Sequence, residues 1–248
     1  MRTALVIPAL NEEDAIGVTL GRVPRDLYTM IVVADNGSTD RTAEIARAHG
    51  TTVVQEPERG YGAACLRALA ALPTDLDAVV FMDADASDNP SEAAALLAPL
   101  AAGTADMVIG SRTRGQAQPG ALLPHQQMGN WLATTLIRLA YGFRYTDLGP
   151  FRAIRTDSLR RLQMRDRNYG WTIEMQVKAL KAGLRVTEVP VSYARRIGTS
   201  KVSGNLRASI QAGAKILYTF FRLGLSRYDC SSAEGPYTAG TDTSFSRR

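Results

Sequence analysis

Cysteine and histidine are nearly absent, with two of each in 248 residues. Cys65 falls in a helical pattern and Cys230 near the end, so neither a disulfide framework nor zinc spacing can be built, and His49 and His125 stand alone. Aromatic residues make up only 7% of the chain, do not interleave with basic ones, and accompany a net charge of just +5. That pattern argues against nucleic acid as a partner, while a phosphate-bearing substrate or an anionic membrane surface stays compatible with it. No uninterrupted apolar run reaches membrane-spanning length. Met1-Arg2 leads into Thr3-Ala4-Leu5-Val6-Ile7-Pro8, too short and too soon broken for a secretory segment. A cytoplasmic enzyme is expected, with peripheral contact at the inner face of the membrane left open. What is present, 45% hydrophobic and 21% charged, suffices for one core.

β-rich runs at 4–7, 31–34, 52–54, 79–82 and 107–110 alternate with helical patterns that start at Glu12, cover 39–49 and 60–72, and end near Gly103. Strand followed by helix, repeated, predicts an α/β fold with a mostly parallel sheet and helices on both faces. The alternation then breaks. A Gly/Pro/Gln loop at 113–125 precedes a helix over 131–141, a short strand at 151–154, a brief helix capped by Thr156, a helix over 171–181 stopped by Gly183, and a strand at 185–191. Asn205 caps a long helix over 205–224. Leu206, Ile210, Gly213, Leu217, Phe220 and Gly224 share one of its faces; Arg207, Gln211, Lys215 and Arg222 share another. Packing against the sheet is the expected fate of this helix, although such a helix can also lie on a membrane. One domain is expected over 1–228, followed by a disordered tail at 229–248, rich in Ser, Thr and Gly.

The apolar run Val79-Val80-Phe81-Met82 ends abruptly in Asp83-Ala84-Asp85-Ala86-Ser87-Asp88-Asn89-Pro90. Strand alternation puts Asp83 and Asp85 on one side with Ala84 pointing away, at the sheet edge where open parallel sheets hold ligands. Hard oxygen donors so spaced suit Mg2+ or Mn2+, whose shell is completed by water and substrate phosphates. An EF-hand loop fails, since Asp88 stands where Gly is needed and Ala94 where Glu is needed. Asn89, Pro90 and Glu92 read as N-cap, first helical residue and the return half of a capping box. That leaves Asp83 and Asp85 for chemistry. Elsewhere both readings stay open: Asp35-Asn36-Gly37-Ser38 suits a tight turn, Gly60-Tyr61-Gly62 suits either a phosphate approach or a flexible helix start, and Arg196 and Lys201 suit a solvated charge run.

Five motifs, in order, resemble glycosyltransferase family 2 with its GT-A fold, within the branch of dolichyl-phosphate mannose synthase and bacterial polyprenyl-phosphate glycosyltransferases. They are Ile7-Pro8-Ala9-Leu10-Asn11-Glu12, Val33-Ala34-Asp35-Asn36-Gly37-Ser38-Thr39-Asp40, Arg59-Gly60-Tyr61-Gly62-Ala63-Ala64, Asp83-Ala84-Asp85, and Glu188-Val189-Pro190-Val191 followed by Arg196-Ile197-Gly198-Thr199-Ser200-Lys201. The resemblance implies that Pro8, Ala9, Asn11 and Glu12 border a nucleotide, that Asp35 bonds its base, that Gly60 and Gly62 admit its phosphates, and that Asp83-Ala84-Asp85 carries the metal. Arg196 and Lys201 would form an anion clamp, and Arg112 and Asn130 would line the acceptor side.

Asp147-Leu148-Gly149-Pro150-Phe151-Arg152 keeps the family's acid and Phe-Arg but changes the turn between them, so a different acceptor pocket is expected. The implied activity is metal-dependent, inverting transfer from a UDP- or GDP-sugar to a polyprenyl phosphate. A hydroxyl of a small metabolite or glycan is the alternative acceptor, and it requires a carboxylate base, with Asp147 the first candidate and Glu174 the second. A catalytically silent nucleotide-sugar-binding module is the alternative of another class. Ala9-Leu10-Asn11-Glu12-Glu13 supplies neither the basic glycine-rich loop of a nucleotidyltransferase nor the Gly-x-Gly-x-x-Gly of a dehydrogenase.

Overall fold

The computed structural model describes residues 1–198 and 206–225, with side chains of the second segment from 213 to 224. Thr199, Ser200, Lys201, Asn205 and the expected tail at 229–248 lie outside the described residues. Strands run at Thr3–Ala9 (β1), Met30–Asp35 (β2), Thr52–Gln55 (β3), Ala78–Phe81 (β4), Met107–Ser111 (β5), Arg152–Arg155 (β6) and Val186–Pro190 (β7). They form one sheet in the order β3-β2-β1-β4-β6-β5-β7. Only β6 runs against the others, inserted antiparallel between β4 and β5. In consequence the carboxyl ends of β1, β2, β4, β5 and β7, and the loop leading into β6, all meet at one edge. Every motif read from the sequence that the structure describes lies at or near that edge.

Helices occupy Glu13–Gly21 (α1), Thr42–Ala48 (α2), Tyr61–Ala70 (α3), Ala93–Ala101 (α4), Pro124–Tyr141 (α5), Thr156–Leu162 (α6), Trp171–Lys181 (α7) and Leu206–Leu225 (α8). Period-two alternation sorts the strand side chains into two layers. Val6, Val32, Val79, Phe81 and Ile109 face Ala64 and Ala68 of α3 and Trp171 and Met175 of α7. Leu5, Ile7, Val33, Val80 and Val108 face Ile16 and Leu20 of α1 and Leu96 and Leu100 of α4. The Phe81 and Trp171 rings meet edge-on at 6.0 Å. Pro8 is tolerated inside a central strand because β4 stops pairing with β1 at Val6, so no ladder bond is lost.

Three expectations change. Helix α5 starts at Pro124 rather than Trp131, with proline in the first turn and Gln126 Oε1 accepting from the Leu123 N–H at 2.9 Å. Residues 125–130 are largely exposed and hold a single apolar side chain, Met128, so the helix begins there without an apolar period to announce it. Helix α8 rests on α7 and α5. It buries Thr219, Phe220 and Leu223, while Gly224, expected on the buried face, is exposed. Glu92 does not return to Asn89 as a capping box requires; its Oε2 accepts from the Ser192 N–H at 2.8 Å, fastening the loop after β7. Among the described residues no helix is long and apolar enough to cross a membrane.

Candidate active site

A cleft of ≈ 270 Å³ opens at the carboxyl edge, lined by Pro8, Ala9, Leu10, Glu12, Asn36, Arg59, Gly60, Tyr61, Asp83, Ala84, Asp85, Asn168, Tyr169 and Arg196 among others. Its floor is the chain after β4. Asp83 and Asp85 do meet, but through a turn rather than strand alternation, because β4 ends at Phe81 and Ala86 adopts a left-handed φ of 61°. The turn is closed by Asp85, whose Oδ1 accepts from the Ser87 N–H at 3.1 Å and from the Ser87 hydroxyl. Ala84 is held too, its carbonyl accepting from the Thr19 hydroxyl at 2.8 Å. Asp83 Oδ1 accepts from the hydroxyl of half-buried Tyr61 at 3.1 Å.

Burial, and then the negative charge of Asp85, raise the Asp83 carboxyl to about 7. Asp88 lies buried beside them; burial and the charges of Asp83 and Asp85 push it well above the carboxylate range, and its Oδ1 has no hydrogen-bond partner among the described residues. Against this crowd stand two guanidinium groups. Arg196 bonds Glu12 Oε1 at 2.6 Å and lies 3.3 Å from Asp85 Oδ2. The charge of Arg112 also lowers the pKa of both Asp83 and Asp88. Excess negative charge with an orphaned oxygen is a setting that a divalent cation relieves, so the donor chemistry fits Mg2+ or Mn2+. No group of three or more His, Cys, Asp or Glu side chains closes a cage among the described residues. Such a cation would therefore take most of its ligands from water and phosphate.

The neighbouring loops are stitched together by residues read as ligands or as turns. Asn11, with a positive φ of 51°, accepts from the Thr39 N–H at 2.8 Å and donates its own N–H to Ser38 Oγ at 2.9 Å. Asp35 is buried and accepts from the Ser38 N–H at 3.0 Å. Asn36, not singled out from sequence, donates to the carbonyls of Glu56 and Glu58 and accepts from the Gly60 N–H, tying the loop after β2 to the loop between β3 and α3 at the cleft. The glycines of the third motif serve close packing. A Cβ on Gly60 would lie 2.0 Å from the Arg167 carbonyl oxygen, and one on Gly62 would lie 1.9 Å from that of Asp166. The Gly60 and Ala63 amides are already committed, to Asn36 and to the Arg167 carbonyl.

Both candidate bases have other work. Asp147 is fully buried, and Arg112 grips it with Nε and the backbone N–H on Oδ2 at 2.8 Å each and Nη2 on Oδ1 at 2.7 Å. Burial opposes the Arg112 charge, but Asp147 more than offsets that and holds the guanidinium above its ordinary range. Glu174 accepts from the N–H groups of Arg165 and Asp166 and pairs with Lys178 at 2.7 Å, which fixes the loop carrying Asn168 and Tyr169. Asn130 also has partners within the protein, donating to the Thr146 carbonyl and accepting from the Leu148 N–H. Glu188, from the fifth motif, accepts from both N–H and hydroxyl of Thr146. The changed turn is anchored from below by buried Arg152, bonded to the carbonyls of Leu148, Gly149 and Thr172.

Arg112 also packs over the Tyr193 ring at 5.0 Å, and beyond it opens a second cleft of ≈ 710 Å³. Arg112, Gln127, Asn130, Trp131, Thr135, Arg138 and Arg144 are among its lining residues, and no Asp or Glu is. Sequence reasoning missed Tyr61 as a partner of Asp83, Asp88 as a third acid, and Tyr193. Tyr61 and Asp88 stood inside quoted motifs; Tyr193 carried no local signal.

The family described as "Glycosyl transferase family 2" matches residues 4–163. An uncharacterized glycosyltransferase of Mycobacterium tuberculosis is 39% identical over 211 residues, spanning 84% of this chain and 93% of its own. The undecaprenyl-phosphate mannosyltransferase of Micrococcus luteus is 31% identical over 227 residues, spanning 83% and 89%. Among solved structures, glucosyl-3-phosphoglycerate synthase from Mycobacterium tuberculosis in complex with Mn2+ and UDP-glucose superposes with a TM-score of 0.71 at 25% identity, covering 90% of this chain and 78% of that one.

Proposed function

The chain belongs to glycosyltransferase family 2 and is a nucleotide-sugar-dependent transferase, and from that premise we propose that it moves a sugar, with inversion, from a UDP- or GDP-sugar to a polyprenyl phosphate. The observation that carries this acceptor class is the lining of the second cleft, where Arg112 stands and no carboxylate does among the described residues. A hydroxyl acceptor needs a base, and the two acids nominated for it are locked by Arg112 and by Lys178 with two backbone amides. A phosphate monoester has its second pKa near 6, so its attacking oxygen is already anionic at neutral pH. The Micrococcus relative, whose name specifies an undecaprenyl-phosphate acceptor, supports the same class.

In this reading the nucleotide lies along Pro8, Ala9, Glu12 and Asp35, and its diphosphate reaches Asp83 and Asp85. A cation bound there would supply Lewis-acid neutralisation of the departing diphosphate, and the glucosyl-3-phosphoglycerate synthase structure is likewise a complex with Mn2+ and UDP-glucose. Tyr61 and Ser87 fix the orientation of Asp83 and Asp85. Arg196, already between Glu12 and Asp85, adds positive charge where the leaving group gathers negative charge; Lys201 is proposed to share that task. Arg112, immobilised by Asp147, keeps Nη1 without a hydrogen bond among the described residues and so available to an acceptor oxygen.

The test is a panel of UDP- and GDP-sugars with Mg2+ or Mn2+, scored for donor hydrolysis and then for transfer to polyprenyl phosphate in detergent or to soluble glycans and metabolites. Transfer to polyprenyl phosphate is expected. Efficient transfer to a hydroxyl acceptor, with none to the lipid phosphate, would overturn the assignment.

A further inference from the structure

The far end of the second cleft carries two cations that the chemistry just described does not use. Arg138 sits in the last turn of α5, and Gly142, at a left-handed φ of 72° with its N–H on the Arg138 carbonyl at 2.9 Å, ends the helix and turns the chain. That turn brings Arg144 back to the same cleft wall, beside Thr135, one helical turn before Arg138. Neither guanidinium, nor the Thr135 hydroxyl, makes a hydrogen bond or ion pair among the described residues, and no acid lines the cleft to neutralise them. From Asn130, near the Arg112 end, to Arg138 the helix rises roughly 12 Å. A group bound at Arg138 is therefore not the group that attacks the sugar.

The same stretch of surface is apolar where it should be polar. Trp131 is 65% exposed and Leu139 78% exposed, with Met128 and Leu132 on the same helix and Tyr218 and Phe221 on neighbouring α8 also exposed. Trp131 lines the cleft itself, so an apolar lip borders the pair of arginines. Tryptophan and basic side chains together are the combination favoured at a membrane–water interface.

We infer that Arg138, Arg144 and Thr135 form a phosphate-binding subsite, separate from the reacting centre, that takes the phosphate of an anionic lipid headgroup and so seats the mouth of the second cleft at the bilayer. The inference rests on the lipid-phosphate reading for its purpose but not for its test. The full chain is sedimented with phosphatidylcholine vesicles with and without phosphatidylglycerol, and separately titrated with inorganic phosphate, as wild type and as Arg138→Gln/Arg144→Gln. Retention on the anionic vesicles is expected, falling roughly 30-fold in the double variant, since each basic residue near a membrane surface is worth about a fivefold change. Binding of UDP and GDP, measured on the same variant, reports the donor cleft independently, and transfer in detergent reports the function proposed above. Inorganic phosphate bound by wild type and not by the variant, without vesicle binding, would keep the subsite and assign it to a soluble phosphate. Vesicle and phosphate binding that are both absent, or both unchanged in the variant, would overturn it.

Discussion

The two clefts at the carboxyl edge of the sheet carry opposite charge across a wall that includes Arg112. Asp83, Asp85, Asp88 and Glu12 crowd around the first, raised or compensated by their neighbours, whereas the second presents Arg112, Arg138 and Arg144 and no acid among the described residues. Arg112 belongs to both: it lines the second cleft while its charge acts on Asp83 and Asp88 in the first. The difference teaches how the fold divides its labour. In the proposed reading the acidic site takes a cation before it meets a diphosphate, while Arg112 meets an anionic acceptor directly.

The sharpest way to break this comparison is to neutralise the acidic side. Asp83→Asn or Asp85→Asn keeps the shape and removes the charge, and transfer should fall by at least ~10³-fold, in line with the loss of a principal electrostatic element. Circular dichroism and melting temperature should show the fold retained. Turnover that still depends on added metal and is undiminished in either variant would remove the metal from that pair.

The wall comes next. Asp147 is buried and doubly bonded to Arg112, so Asp147→Asn leaves a buried guanidinium short of its counter-charge, a change that costs about 3 kcal/mol. Urea unfolding should register that loss together with slowed transfer. Loss of activity at unchanged stability would instead return Asp147 to the role of a base.

These cases mark where sequence sufficed. The strands and the parallel alternation were legible because β-branched runs and turn residues are local signals. Asp83 and Asp85 stood out because an apolar run stops in acids. The pairing of Arg112 with Asp147 spans 35 positions, and no local pattern reports it. The buried face of α8 was displaced because burial there is set by contact with α7 and α5, not by the helix's own period. Residues 125–130, mostly polar apart from exposed Met128, hid the start of α5 for the same reason: they front solvent and a cleft, not the core. Gly60 and Gly62 looked like a phosphate cradle because close backbone approach and ligand approach demand the same residue.

A smaller effect is expected on the donor side. Asp35→Asn retains an oxygen for the Ser38 N–H but withdraws charge from any base N–H that the carboxylate meets. The donor KM should rise roughly tenfold with kcat nearly kept, the mark of an interaction held equally in ground and transition states. Unchanged donor affinity in calorimetry would leave Asp35 a turn residue only.

The smallest effect, and the one that tests the charge contrast without any substrate, is the pH dependence of stability. Burial and Asp85 raise Asp83 from 3.8 to about 7, and burial with its two neighbours raises Asp88 well above its usual range. Between the unfolded and folded values the native state holds protons that the unfolded chain has released, and where the native state binds more protons, stability falls as pH rises. Metal-free protein should therefore melt at progressively lower temperature as pH climbs from about 4 through about 7, by about 2–4 °C for each kcal/mol in a chain of this length. Asp106, held low by Arg185, titrates below this window and does not mask it. Added Mg2+ or Mn2+ should flatten the slope, because a cation takes over the compensation that the proton provides. Asp88→Asn should flatten it without metal. Arg138→Gln, in the basic cleft, should leave it alone. A melting temperature that rises with pH across that window in chelator would show that Arg112 and Arg196 already balance the acids, and it would withdraw the physical case for a cation at Asp83.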